Sequence, residues 1–558
     1  MTEEPLEVES ITETSSGLGE VARASSVMAV GTMASRVTGL LRDAALGAAI
    51  GTAVLGDTFA VANTIPNTVY ALLAGGAITA VFVPQLVRHL HEDDDGGEVY
   101  TQRLLTLATL TLVAVTAAAV ALAPFVVRLF ATSTWTTRDF HVATLFALLC
   151  LPQILFYGLY TMFQQVLNAR GHFAAPMFAP IINNVVVMVT CGLFIAAAHG
   201  STLTTGTISG GELALLGAGS TLGIAAQALV LLPVMRRTGF RWRPRFDFRN
   251  AGLGKAGTLA SWTFVFVLTN TFALVVISRL ATKANVLASA AHLATSAGLV
   301  TYQRANLAFQ LPQSVITVSV VTALLPRMSA KAIARNLSGV ADDVTAGLRL
   351  ALVGVVPATA ALLVLAPPIG VVAFNWGSTS TGDARVIGEV AQFFVLGLIP
   401  FTAFFVLLRG FYALEDTRTP ALVNIVLNAV NIAVAYTLFE LVSVTHKVQS
   451  LAAAYLPTYA IAAVLTWLLL SRRLGGLPAY LTIRTAVRLI VAVLPATALM
   501  WAASTASTDL LGTGRLGSLV AVVLALSLGS GAFLLLARRL RVEEAGQLMA
   551  TVRGRLTR

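Results

Sequence analysis

Apolar runs of roughly twenty residues, separated by short polar connections, recur from one end of the chain to the other. A helix rising about 1.5 Å per residue needs about 20 such residues to cross a hydrocarbon core of about 30 Å. Windows of that kind fall at 24–50, 55–87, 104–130, 140–168, 174–199, 212–235, 256–282, 286–325, 347–374, 386–413, 419–442, 449–471, 479–504 and 516–537. The pattern predicts an all-α integral membrane protein with about fourteen transmembrane helices. Windows two and eight are long and carry internal prolines, so each could be miscounted by one.

Two pairs of segments echo each other six windows apart. Ile65-Pro66-Asn67-Thr68-Val69 resembles Leu311-Pro312-Gln313-Ser314-Val315, an offset of 246, and each leads to a second proline, Pro84 or Pro326. Pro176 to Asn184 resembles Pro420 to Asn428, an offset of 244. Two concordant offsets predict two parallel six-helix repeats, a plan that places substrate between lobes and alternates access by rocking. The expected organisation is an acidic tail (1–22), an N-terminal lobe (23–238), a basic linker (239–254), a C-terminal lobe (255–474), two extra helices (475–540) and a basic tail (541–558).

Composition agrees with lipid as solvent. Of 558 residues, 56% are hydrophobic and 11% charged, against about 25% charged in soluble domains. The net charge of +11 is spread over loops and forms no basic patch interleaved with aromatics, which argues against a nucleic-acid partner. The tail 1–20 lacks a basic stretch before an apolar run and does not read as a cleavable signal peptide. Cys150 and Cys191 sit in apolar runs without metal-ligand spacing.

With the N-terminus placed inside, the tails and even-numbered loops hold 27 Lys and Arg and the opposite side holds 7. That bias predicts both termini in the cytoplasm. The three remaining cations, Arg36, Arg42 and Arg304, lie within windows. Charge at the centre of a membrane helix costs about 2.5–3.5 kcal/mol, so such residues usually face a cavity or a partner.

Arg36 and Asp43 are seven residues apart and share a helix face, about 10 Å apart along the axis. Arg42 would point elsewhere unless Gly39 kinks the helix. Guanidinium groups bind phosphate bidentately, so a diphosphate clamp is one reading of this pair. The other has Arg42 reaching for headgroups and pairing with Asp43. Arg304 has no acid one turn away and is expected to meet a ligand or another helix. Asp57 either caps its own helix or faces the arginines. Asn183, Asn184, Gln310 and Asn428 are expected as helix–helix hydrogen-bond partners. There is no Walker-type loop and no acidic pair suited to a transferase.

At these residues the chain resembles the MurJ/MviN family of lipid II flippases. The resemblance is carried by Ser35-Arg36-Val37-Thr38-Gly39-Leu40-Leu41-Arg42-Asp43, Gly56-Asp57-Thr58-Phe59, Ile65-Pro66-Asn67, Phe173-Ala174-Ala175-Pro176, Ala323 to Ser329, and Arg409 to Pro420. It implies two six-helix lobes around a central cationic cavity, with the last two helices forming a groove for a polyprenyl tail. It also implies a multi-pass protein of the bacterial plasma membrane that moves lipid II, an undecaprenyl-diphosphate-linked precursor, among membrane lipids and beside the cell-wall synthesis machinery. No cofactor is implied, and a coupling cation is left open. The residues it marks for substrate are Arg36, Arg42, Asp43 and Asn67, with an acid at Asp57.

Two features depart from the family pattern. Tyr70 and Ala71 stand where many members have an Arg-Arg pair, and Leu307 stands where many have an arginine. Arg304, one turn earlier and on nearly the same face, is expected to substitute for the latter. The alternatives are an exporter of another polyprenyl-linked glycan or of cationic drugs, which should show intramembrane carboxylates, and a polyprenyl-phosphate enzyme, which should show acids or histidines at the midplane.

Overall fold

A computed structural model describes residues 30–73, 95, 97–199, 201, 203–247, 257–314 and 318–540. The described residues form helices, turns and loops, and no strand. The expected tails 1–22 and 541–558, Pro84, and residues 248–254 of the expected linker lie outside them. With no water in a bilayer core to satisfy a peptide group, intrahelical bonding is the one local solution open to these apolar windows.

In chain order the helices begin with α1 (30–50), α2 (Val54–Leu73), α3 (Glu98–Ala121), α4 (Ala123–Phe130), α5 (Thr137–Cys150) and α6 (Gln153–Ala169). There follow α7 (Ala174–Ala197), α8 (Gly210–Leu229), α9 (Leu231–Arg237), α10 (Gly257–Ala290), α11 (Leu299–Pro312), α12 (Val318–Ile333) and α13 (Leu337–Phe374). The chain continues with α14 (Thr381–Leu396), α15 (Leu398–Ala413), α16 (Arg418–Leu441), α17 (Lys447–Ala453), α18 (Tyr455–Leu474), α19 (Ala479–Leu511) and α20 (Arg515–Arg539). Among the described residues ten helical spans are long and apolar enough to cross a membrane, or eleven when α14 and α15, bent by 46°, are taken as one.

The windows differ from the helices where apolar character outlasts helical structure or the reverse. Window eight was expected from residue 286, but α10 runs on to Ala290 and α11 starts only at Leu299. The intervening 291–298 is a loop rich in small residues, which hydropathy does not separate from helix. α13 has 38 residues, roughly 57 Å at 1.5 Å per residue, so it runs well past a hydrocarbon core and starts ten residues before its window.

The helices fall into two compact units. The first draws on Met1–Ala49, Ala62–Val127 and His141–Ala260, the second on Ile50–Val61, Arg128–Phe140 and Ser261–Arg558. In the first unit α7 and α8 pack through small residues. A Cβ on Gly219 would stand 2.3 Å from Thr190 Cγ2, and one on Gly223 would stand 2.4 Å from Asn183 Oδ1. These two glycines are four apart, so α8 presents a flat strip that lets two backbones approach. In the second unit α13, α19 and α20 share a core of Leu352, Val356, Leu489, Ala492, Ala496 and Phe533.

The α13–α14 contact is closer still. A Cβ on Gly388 would lie 2.2 Å from the Ala366 carbonyl oxygen and 2.4 Å from Pro367 Cα, backbone atoms with nowhere to go. Gly388→Ala is therefore expected to destabilise the second unit by about 1–3 kcal/mol, read as a lower melting temperature of the detergent-purified protein. An unchanged melting temperature would show that the two helices separate at no cost.

Candidate substrate-binding residues

The first cluster grows from the contact of α1 with α7 inside the first unit. α1 is helical from 30 to 50 without interruption at Gly39. Successive α1 residues at 31, 35, 38 and 42 meet α7 at turn-by-turn spacing. A Cβ on Gly31 would touch Met177 Cβ at 3.0 Å. The Asn184 amide donates to the Ser35 carbonyl at 3.2 Å and to Thr38 Oγ1 at 2.9 Å, and its oxygen accepts from Arg42 Nη1 at 3.3 Å.

Arg42 also donates from Nε and Nη2 to Asp43 Oδ1, at 3.0 and 2.8 Å. This ion pair is partly exposed. Arg36 lies six residues away, about 120° around an unbroken helix. It is exposed and has no hydrogen-bond or ion-pair partner among the described residues. The two guanidinium groups thus differ in character. Arg42 is held in a network, and Arg36 has no such network among the described residues.

A second feature of the first unit is the seam between α2 and α6. Gln153 donates to Asn63 Oδ1 at 3.1 Å, Tyr70 stacks on Tyr157 with centroids 5.7 Å apart, and Tyr70 shares a 2.5 Å hydrogen bond with Thr161. Asn67 lies on the same face of α2 between these contacts and is exposed, without a hydrogen-bond partner among the described residues. Arg42 acts electrostatically on Tyr157. The tyrosine at the departing family position is therefore part of a packed polar–aromatic ladder. The α6 partners Gln153, Tyr157 and Thr161 were not singled out in the sequence. Their four-residue spacing along an apolar helix was the signal that could have found them.

Asp57 and Arg304 come together in the second unit. Asp57 is fully buried. Oδ1 accepts from the Val300 N–H at 2.9 Å and Oδ2 from the Asn285 amide at 2.9 Å, while Asn285 also donates to the Thr52 carbonyl at 3.0 Å. The carboxylate therefore caps the N-terminus of α11, not that of its own helix. The N-cap position of α11 is Gly298, which offers no side chain for the purpose. A Cβ there would lie 2.1 Å from Asp57 Oδ2, so glycine is required by the approach of the carboxylate. Arg304, one turn further along α11, is buried at 7% exposure, lies over the Phe374 ring at 5.8 Å and acts electrostatically on Asp57. Asn285 and Gly298 complete this cluster and were not anticipated.

The internal repeat reappears in side-chain detail. Asn428, the counterpart of Asn184, donates to Asn270 Oδ1 on α10 at 2.9 Å, and Asn424 donates to the Phe266 carbonyl at 3.3 Å. Within each unit an asparagine of the fifth helix of the repeat binds the first helix of the same repeat.

Comparison with known proteins follows this geometry. The family model described as "Lipid II flippase MurJ" matches residues 46–523. The chain belongs to the MurJ family of lipid II flippases. It is 27% identical over 423 residues to the probable lipid II flippase MurJ of Rhizobium meliloti, covering 73% of each chain. It is 27% identical over 490 residues to that of Haemophilus influenzae, covering 85% of this chain and 90% of the relative. Among solved structures it is similar to a lipid II flippase MurJ in an inward closed conformation, with TM-score 0.69, 16% identity, and 92% and 99% of the two chains covered. An inward-facing multidrug transporter of the MATE family has TM-score 0.61 at 13% identity, covering 79% of this chain and 94% of its own. Those two likenesses are of fold. This MurJ-family chain is a multi-pass bacterial membrane protein and a transporter.

One family segment, Arg409 to Pro420, closes the turn between α15 and α16. Asp416 accepts from the Thr419 N–H at 2.9 Å and from its hydroxyl at 2.7 Å, and pairs with Arg473 at 2.9 Å. Burial pushes the carboxyl up, but these hydrogen bonds and the Arg473 charge outweigh it and hold it below the usual carboxylate range. A depressed value adds stability above the unfolded pKa of about 3.9, which is lost as pH falls through the folded value. Acid titration of unfolding is expected to show this loss in the wild type and not in Asp416→Asn. Identical acid limbs would remove the assignment.

The capping cluster gives a second expectation. Asp57→Ala leaves the Val300 N–H without its acceptor in a buried place and takes one of the two acceptors of the Asn285 amide, at a cost of about 1–3 kcal/mol. Gly298→Ala is expected to lower the melting temperature in the same direction while keeping the carboxylate. Wild-type melting of both variants would mean the cap carries no stability.

Proposed function

We propose that this chain moves lipid II from the cytoplasmic to the outer leaflet by alternating access between a lobe at 23–238 and a lobe at 255–474. The match to the family across residues 46–523 carries this reading, and the intramembrane guanidinium groups give it a chemistry. A diphosphate offers planar pairs of anionic oxygens, which a guanidinium meets bidentately without losing its charge. Arg36, exposed and unpaired among the described residues, is the first contact. Arg42 follows by exchanging its hydrogen bonds with Asp43 for the phosphate. Asn67 offers amide hydrogen bonds to the headgroup.

Arg304 has a different part in this scheme. Its burial with Asp57 and Phe374 suits a positioning residue that fixes the start of α11. Both termini lie in the cytoplasm on this reading, as the loop charges favour. No cofactor is required. The membrane potential, about 2.3 kcal/mol per charge per 100 mV, is an adequate source of energy for a charged headgroup. The fold likeness to a multidrug transporter favours no second reading, because the one fully buried carboxylate described above, Asp57, is already engaged with α11.

Complementation of a flippase-depleted bacterium tests the assignment. Arg36→Ala and Arg42→Ala each remove a charge-assisted contact of about 1.5–3 kcal/mol, so transport should fall about tenfold to a hundredfold at normal protein levels, with lipid II accumulating in the inner leaflet. Arg304→Ala should instead lower the amount of folded protein. Normal outer-leaflet lipid II with both α1 variants would remove the proposed clamp.

A further inference from the structure

A second cationic element lies outside these clusters. α9 ends at Arg236 and Arg237, both exposed. Gly239, with φ +86°, reverses the chain in the left-handed conformation that closes many helices, and the Phe240 N–H returns to the Met235 carbonyl at 3.1 Å. From there residues 240–247 run as an extended strap without repetitive structure.

The strap is fixed to the first unit at five of its eight residues. Phe240 is buried under Arg170, whose guanidinium lies 4.9 Å from the ring centroid. The Arg241 carbonyl accepts from Gln102 Nε2 at 3.1 Å. Trp242 meets Phe163 edge-on at 5.9 Å. The Arg245 N–H donates to Thr106 Oγ1 at 3.0 Å and its Nε to Gln102 Oε1 at 3.0 Å, and Asp247 pairs with Arg103. Phe240 is buried and Trp242 half-buried, while Arg241 and Arg243 are exposed.

The exposed side chains here are Arg236, Arg237, Arg241, Arg243 and Arg245, the last with its Nε held by Gln102, together with Phe246 at 69% exposure. Asp247, the one acid of the strap, is already paired. The strap touches the start of the spanning helix Glu98–Ala121 and the end of Thr137–Ala169, and it continues from the end of Gly210–Arg237. Spanning helices end at headgroup level, so the strap lies at that depth.

We propose that this strap is a docking surface for anionic phospholipid headgroups, with the arginines on the phosphates and Phe246 inserted among the upper acyl carbons. Such juxtamembrane basic clusters are drawn to anionic leaflets and released by salt. The inference is independent of what the protein carries.

The test uses the full chain in nanodiscs of phosphatidylcholine alone or with about 30% phosphatidylglycerol, and follows chymotrypsin cleavage after Phe246 by mass spectrometry. Phosphatidylglycerol should slow the cut about tenfold, and about 0.5 M salt should abolish that protection. Substitution of Arg236, Arg237, Arg241 and Arg243 by glutamine leaves the Gln102, Thr106 and Arg103 contacts intact. It should make cleavage independent of lipid. Equal wild-type rates in the two lipids would overturn the proposal. So would protection by soluble polyphosphate in phosphatidylcholine discs with none from phosphatidylglycerol, which would assign the face to a soluble polyanion.

Discussion

Charge inside a lipid-spanning helix is tolerated only when something nearby answers it, and that constraint organises this protein. Apolar residues can be exchanged along most of α3, α7 or α20 with little consequence for which helix meets which. The few charged and amide side chains cannot. Several of those in the spanning segments are attached to a partner on another helix, and such partners fix helix registry. Asn184 sets α7 against α1, Asn428 sets α16 against α10, and Asp57 sets α2 against the start of α11.

The same logic explains the glycines. Gly298 is needed because a carboxylate occupies the space a side chain would fill, and Gly388 because a neighbouring backbone does. In both places a small residue is the counterpart of a close polar or main-chain approach, and the two kinds of position belong together in sequence reading. The strap on the first unit follows a related rule at the membrane surface. There Phe240, Trp242 and Arg245 supply attachment, and Arg241 and Arg243 are left exposed.

Much of the fold was legible because lipid imposes a length and a composition on every span. Each of the fourteen windows contains helix among the described residues, although the window 286–325 also takes in the loop 291–298, and the loop charges isolated Arg36, Arg42 and Arg304 before any geometry was known. Helix ends were less legible. Residues 286–290 are as apolar as the helix they finish, so hydropathy merged them with the next span. Partnerships between distant segments were least legible. Asp57 reads locally as an N-cap, and nothing near it reveals that its acceptor role is spent more than two hundred residues later, on Val300. Gly39 likewise permits a break without compelling one, and hydrogen bonds of Asn184 to Ser35 and Thr38 before it and to Arg42 beyond it hold the uninterrupted α1 against α7.

The Arg42–Asp43 pair has a consequence for how a substrate could leave. Arg42 already has an anion of its own in the resting protein, tethered one residue away and therefore present at a high effective concentration. On the proposed function, an incoming phosphate would displace Asp43 instead of filling an empty charge, so the net gain would be the difference between two similar interactions. The carboxylate would stay beside the site and retake the guanidinium when the phosphate loosens. Asp43 would then set a ceiling on affinity, and a carrier that must let go of its cargo every cycle would be served by such a built-in competitor.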